Sequence, residues 1–294
     1  MNRITENRLA ARMGTSKGTI ISYQGEPGAF SEQAVLAYFG KHCIARARET
    51  FDEVFDDVVR KRSHYSIIPI ENSLFGSVHQ NYDLLQRRPV FIVGEIKLRI
   101  RMNLLALPGV RMGDIRHVYS HPQGLGQCQD FIRSLPGCTP HPFYDTAGAA
   151  KMIQEEQRRD AGAIASSQAA AHYGLKILRK SVESDHHNFT RFVVLARKPV
   201  QPRRNAKTSI IFATKNIPGA LYKSLSVFAL RNINMLKIES RPIVGRPWEY
   251  LFFVDIKTDN RTPECRNALA HLEELASYSK NLGSYETGRS VLNP

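Results

Sequence analysis

Cysteine is scarce in this chain, four among 294 residues, and Cys43, Cys128, Cys138 and Cys265 form no CxxC pair. Free thiols are therefore expected rather than a disulfide framework. Cys128 falls in an apolar helical pattern and is a core candidate. No apolar run approaches the length of a membrane span. The opening MNRITENRLAARMGTSKGT lacks the apolar h-region of a secretory signal. It reads as a disordered tail over 1–18, with a poor, Arg-bearing transit peptide as the alternative, and the expected location is cytoplasmic. P-loop and dinucleotide fingerprints are missing too, as is a cluster with metal-ligand spacing. No cofactor and no metal are expected. His186 and His187 are adjacent and make a poor chelating pair.

Acidic residues are in deficit. Twenty-seven Asp and Glu face 41 Lys and Arg, a net charge of +14. Such a balance permits a nucleic-acid partner. However, the basic residues form no single stripe, and zinc-finger spacing and RNA-binding aromatic signatures are absent. No nucleic-acid or membrane partner is expected. The densest basic run, RKPVQPRRNAK at 197–207, holds two prolines and reads as a linker. The positive potential suits a small anionic substrate.

What is present is a rhythm. Up to about residue 197, apolar strand-like runs alternate with helical spacing, as in TIISYQG then AFSEQAVLAYFG, or HVYS then HPQGLGQCQDFI. YSIIPI reads as a buried strand. VFIVGEIKLRIRMNLLAL reads as a strand pair or one bent strand. Asp145 or Thr146 would cap the helix that follows TPHPFY. This pattern predicts an α/β domain. After the linker come strand, helix, two strands, helix and strand, the order of a ferredoxin-like α+β domain. The expected divisions are a catalytic domain at 19–197, a linker at 198–206, a second domain at 207–285 and a tail at 286–294.

The strand-to-helix junctions share one feature. Gly25–Ser31, Glu71–Ser77, Ser120–Gln123, Asp145–Gly148 and Ser166–Gln168 are rich in small polar residues. Ligands of open α/β sheets bind beyond the carboxyl ends of strands, where helix N-termini offer unpaired N–H groups. Each junction could equally cap its own helix. Together they favour a site for an anion.

Several stretches then take on a joint meaning. YQGEPGAFSE (23–32), IPIENSLFGSVHQNYDLL (68–85), SHPQGLGQC (120–128), DTAGAAK (145–151), IASSQAAAHYGL (164–175) and NFTRF (188–192) follow one another in the order seen in prephenate dehydratases. PGAL (218–221) and INMLKIESRP (233–242) resemble the two signatures of that family's ACT regulatory domain. The tail of the chain also resembles arogenate dehydratases of plants. The resemblance spans about residues 19–285.

It implies a two-lobed catalytic domain like a periplasmic binding protein, plus a C-terminal ACT domain. It implies loss of carbon dioxide and water from prephenate to give phenylpyruvate, in phenylalanine biosynthesis, with arogenate as the rival substrate. It implies inhibition by phenylalanine and a homo-oligomer, dimer or tetramer. Thr190 matches the family's essential threonine, and a hydroxyl there can assist departure of the ring hydroxyl. Substrate-binding candidates are Ser31, Glu71, Asn72, Ser73, Gln123, Thr146, Asn188, Arg191 and Phe192.

Arg191 is ambiguous. It can fork onto a carboxylate or brace the cleft, and strand alternation sends it away from Thr190's face. Glu71 suits a dianion only if protonated or paired to a cation. His121 is a possible proton carrier or a cap. Phenylalanine-binding candidates are Gly219, Ala220, Leu221, Asn234, Glu239, Ser240, Arg241 and Pro242. Phe75, Gly124, Gly126 and Leu236 depart from the family pattern.

Overall fold

The computed structural model describes residues 18–292 apart from residue 244. The expected N-terminal tail lies outside the described residues save for its last position.

In chain order, the first stretch carries β1 (Ile20–Gln24), α1 (Phe30–Phe39), β2 (Ile44–Arg48), α2 (Phe51–Val59), β3 (Tyr65–Asn72), β4 (Gly76–Ser77), α3 (His79–Arg87) and β5 (Phe91–Arg99). Next come β6 (Asn103–Ala106), β7 (His117–Ser120), α4 (Pro122–Gln127), α5 (Gln129–Arg133), β8 (Thr139–Pro142), α6 (Thr146–Glu155), β9 (Ala161–Ala165), α7 (Ser167–His172) and β10 (Lys176–Arg179). The chain returns through β11 (Phe189–Ala196). A C-terminal unit follows with β12 (Ala206–Ala213), α8 (Ala220–Ala229), β13 (Met235–Ile243), β14 (Arg246–Ile256), α9 (Pro263–Leu275) and β15 (Tyr278–Glu286), and β16 (Ser290–Val291) ends it.

These strands form three sheets. The first runs β16-β5-β11-β3-β1-β2, with β4 on β3. The second runs β10-β6-β9-β7-β8, and the third β13-β14-β12-β15. β1, β2 and β3 are parallel, whereas β11 is antiparallel to both of its neighbours. The long apolar run 91–106 is two strands rather than one bent strand, and the two do not pair with each other. It leaves the first sheet at Arg99 and enters the second at Asn103. Ile100 and Met102 are buried in the crossing. The third sheet is antiparallel and follows the strand and helix order read from the sequence.

β11 is the spine of the molecule, because its two faces feed different cores. Phe192 and Val194 face a core shared with Ile67, Ile96 and the second sheet. Val193 and Leu195 face another, shared with Ile211, Phe253 and Leu282 of the C-terminal unit. Burying each such Val or Leu contributes about 1.5–3 kcal/mol. The run FVVL is apolar throughout because neither face meets water.

Residues 286–292 are not the expected tail. β16 lies parallel to β5, with Ser290 opposite Lys97. Gly288 donates its N–H to Glu95 Oε1 at 2.9 Å. A Cβ at Gly288 would lie 2.3 Å from the Glu95 carbonyl oxygen, so only glycine permits this approach.

Candidate functional site

The polar end of β11 meets the polar end of β3. Thr190 is the register partner of Asn72, and Arg191 of Glu71. Successive strand side chains point to opposite faces. Asn72 and Thr190 thus share one face, and Glu71 and Arg191 the other.

On the first face, one amide organises the group. Asn72 Oδ1 accepts the backbone N–H groups of Leu74 at 2.9 Å and Phe75 at 3.1 Å. Those donors fix which end of the amide is oxygen. Its Nδ2 must then donate, to Asn188 Oδ1 at 2.7 Å and to Thr190 Oγ1 at 2.9 Å. Two consequences follow from the donor inventory. The Thr190 hydroxyl accepts from Asn72, so its own proton is free to be donated elsewhere. Asn188 uses its oxygen on Asn72, and its Nδ2 is buried without a hydrogen-bond partner among the described residues. Two donors therefore stand side by side on one scaffold.

Ser73 ties the loop ends. It donates from Oγ to the His187 carbonyl at 2.9 Å and accepts from the Phe189 N–H at 2.9 Å. The Asn188 carbonyl accepts from the N–H of Ile100, in the crossing between the first two sheets.

Arg191 does not belong with the substrate-facing candidates. It is buried on the opposite face, and all three of its guanidinium nitrogens are engaged. Nε donates to Glu95 at 2.7 Å, Nη1 to Glu71 at 3.2 Å, and Nη2 to the Tyr285 hydroxyl at 3.1 Å. Nη2 also lies 2.6 Å from Asp255. Burial disfavours the cation, but Asp255, Tyr285, Glu95 and Glu71 outweigh it and hold its pKa well above the ordinary value. Of the two roles open to it, bracing is the one its contacts match. Glu71 is likewise turned away from Thr190. Burial would raise its carboxyl, yet Lys237 and Arg191 hold it below the usual range. Phe192 is 2% exposed and packs in the core, so it is not placed to touch a ligand.

The remaining candidates sit where the first two sheets face each other. Ser166 donates to the Gly28 carbonyl at 2.6 Å, and Gln168 donates to Glu32 at 2.7 Å. Tyr144 donates to Glu26 at 2.8 Å, and Lys151 does so at 3.3 Å. A Cβ on Gly25 would approach Asp145 Oδ2 at 3.2 Å, and one on Gly124 the Thr146 methyl at 3.5 Å. The junctions after β1, β7, β8 and β9 thus converge. Ser31 is buried in the first turn of α1, Thr146 is half-buried at the start of α6, and Gln123 is exposed on α4. No hydrogen bond among the described residues joins these three to the Asn72–Thr190 group.

Asp145 caps α6, accepting from Ala147 at 2.8 Å and Gly148 at 2.9 Å. Burial pushes its carboxyl up despite those bonds. His121 caps α4 by accepting the Gln123 N–H at Nδ1, 3.3 Å away. Burial lowers its pKa against the pull of Asp145. The neutral ring, with its proton on Nε2, is the favoured form.

In the C-terminal unit, Gly219, Ala220 and Leu221 begin α8, while Asn234 and Ser240 are exposed at and beside β13. Glu239 and Arg241 depart from the expected ligand set. Glu239 accepts from Ser77 Oγ at 2.7 Å and lies 3.5 Å from His79. Arg241 pairs with Asp83 at 3.4 Å. Alternation along β13 turns both toward the first sheet. Sequence reading also missed Glu95, Lys207, Asp255 and Tyr285. The only signal for Glu95, Lys207 and Asp255 was charge inside apolar strands, and Tyr285 gave none.

A family model described as prephenate dehydratase matches residues 21–200. A protein of Arabidopsis thaliana named arogenate dehydratase/prephenate dehydratase 2, chloroplastic, is 44% identical over 300 residues, covering 98% of this chain and 78% of its own. A second from that plant, arogenate dehydratase/prephenate dehydratase 1, chloroplastic, is 42% identical over 298 residues, covering 96% and 76%. The chloroplastic location in both names contradicts the expected cytoplasmic one. Among solved structures, the prephenate dehydratase of Arthrobacter aurescens in complex with L-Phe is similar with TM-score 0.84 at 27% identity, covering 91% of this chain and 90% of that one. GqqA, titled a novel type of quorum quenching acylase, is similar with TM-score 0.84 at 34% identity, covering 91% and 98%.

Proposed function

The chain belongs to the prephenate dehydratase family, and from that premise we propose that Thr190 and Asn188 together hold the oxygen that leaves in the dehydration. The observation that carries this is the fixed Asn72 amide. It takes up the acceptor side of Thr190 and leaves the hydroxyl proton and the Asn188 amide as available donors.

Prephenate carries two carboxylates, a ketone and a ring hydroxyl. In the reaction the ring carboxylate leaves as carbon dioxide, and its bonding pair moves into the ring. The C4–O bond breaks, and the departing oxygen takes a proton to leave as water. Aromatisation drives the step. A threonine hydroxyl is a poor acid in water. Donors held in place where charge develops nevertheless stabilise a leaving oxygen strongly in an enclosed site. The scaffold costs no reorganisation, because Asn72 is already held by Leu74 and Phe75. Closing of the first two sheets on the substrate, with Ser31, Gln123 and Thr146 toward its polar groups, completes the reading.

An acylase reading gains no support from this site. Acyl transfer needs a hydroxyl beside a proton acceptor. The partner of Thr190 is an N–H donor.

We further infer that residues 207–285 form an ACT domain that binds phenylalanine near Gly219, Ala220, Leu221, Asn234, Ser240 and Pro242, in a homo-oligomer. The exposed Leu236 and Ile238 on the edge strand β13 support an assembly contact there. The test is phenylpyruvate formation from prephenate, and phenylalanine formation from arogenate, each with and without added phenylalanine. Activity on either substrate that phenylalanine suppresses is the expected result. Activity on neither overturns the assignment, and activity indifferent to phenylalanine overturns the regulatory half.

A further inference from the structure

The last rungs of the β3–β11 pair lie beyond a bulge. A register shift interrupts the ladder between Arg191 and Phe192, where Glu71 and Pro69 are the successive partners. The rungs beyond it carry Asn72 and Thr190. A bulge loosens the pairing it interrupts. β5 and β4 pair the same residues from their other sides, and side-chain contacts add a further hold.

Those contacts lie on the back face and come largely from the C-terminal unit. Three cations, Arg191, Lys207 and Lys237, meet three anions, Glu71, Glu95 and Asp255. Lys207 donates to both oxygens of Glu95, at 2.8 and 2.9 Å. Tyr285 shares its hydroxyl with Ser209 at 2.7 Å, and Ser209 donates to Asp255 at 2.5 Å. Lys237 of β13 donates to Glu71 and lies 3.7 Å from Glu239. Glu71 is thus gripped from two sides, by Arg191 of its own strand pair and by Lys237 of the other unit.

We propose that Lys237 is a positioning residue for Thr190, acting through Glu71 and Arg191. The idea rests on Thr190 serving the dehydration. Glu71 is the chain neighbour of Asn72, and Arg191 of Thr190. A shift of the back rung therefore moves the front one. Lys237 differs from Arg191 in one useful respect. Its side chain and that of Glu71 retain 19% and 29% exposure, so removing it leaves no charge sealed from water. Alternation along β13 sets Lys237 and Glu239 against the first sheet, with Leu236 and Ile238 on the other face. Any displacement of this edge strand is transmitted to the rung that holds Asn72 and Thr190.

The test uses the full chain with Lys237→Met, Lys237→Arg, Glu71→Gln and the double variant Glu71→Gln/Lys237→Met. Lys237→Met is expected to lower kcat roughly 10-fold with KM changed much less, as a misplaced catalytic group does. Lys237→Arg should restore most of the rate, and the double variant should be no slower than Glu71→Gln alone. Hydrogen exchange supplies a readout independent of turnover. Peptides covering 69–74 and 187–192 should exchange faster in Lys237→Met, while 161–165 in the second sheet stays unchanged. Wild-type kcat with unchanged exchange overturns the proposal. So does faster exchange everywhere with a lowered unfolding midpoint, which marks a merely structural role. If Thr190→Val also keeps full turnover, the reading of Thr190 fails by itself, and the exchange data still judge the coupling.

Discussion

Replacing Thr190 by valine removes one hydroxyl and keeps the β-branched shape that the strand favours. The structural cost can be bounded. Asn72 loses one of its acceptors, at 2.9 Å, and keeps its bonds to Asn188, Leu74 and Phe75. A single hydrogen bond of this kind contributes about 0.5–1.5 kcal/mol. A domain stable by about 5–15 kcal/mol remains more than nine-tenths folded after that loss. Destabilisation alone therefore changes the measured rate very little. The loss expected from the chemistry is far larger. Removing a donor aimed at developing charge typically costs about 10²–10³ in kcat, or about 2.7–4 kcal/mol. The assay is the initial rate of phenylpyruvate formation from prephenate, read as kcat and KM, beside a thermal unfolding curve of the same sample. Thr190→Ser retains the hydroxyl and should recover most of the rate. A Thr190→Val enzyme within about threefold of wild type refutes the reasoning. So does Thr190→Ser failing as deeply as valine, because the argument rests on the hydroxyl alone.

Three further outcomes are expected. Arg191→Met leaves Glu95 and Asp255 buried with less compensation and should destabilise the protein by about 3–5 kcal/mol in denaturant titration; a loss under about 1 kcal/mol would contradict the buried network. Glu71 and Glu95 have carboxyls held below their ordinary value of 4.5. Their contribution is complete above that value and is lost as pH falls through the lower folded values. Stability should therefore fall below pH 4.5, and Glu71→Gln should flatten that slope in acid unfolding curves; an unchanged slope argues against the Lys237–Glu71 pairing. Gly28→Ala would place a methyl 2.6 Å from Ala169 Cα at a backbone φ of +90°. It should lower stability by about 1–3 kcal/mol, seen as a reduced unfolding midpoint, because strain and overpacking add.

The chain's own text determined a good deal. Strand and helix alternation predicted the α/β part, and the order after the linker predicted the antiparallel C-terminal sheet. Both follow from periodicity, which is local. The family resemblance singles out Asn72, Asn188 and Thr190, and strand alternation already sets Arg191 against Thr190. Other features were not local. The run 91–106 has one continuous apolar pattern, and nothing within it says that its halves enter different sheets. Residues 286–292 look like a tail until Gly288 meets Glu95, 193 positions earlier in the chain. Lys237, Lys207, Asp255 and Tyr285 read as ordinary strand residues; they gain meaning only when burial strips away water and forces each charge to find a partner. The sequence could state which residues carry hydroxyls, amides and charges. Only the tertiary structure decided which amide orients Thr190, and which lysine holds the carboxylate behind it, because both depend on distances between residues far apart in the chain.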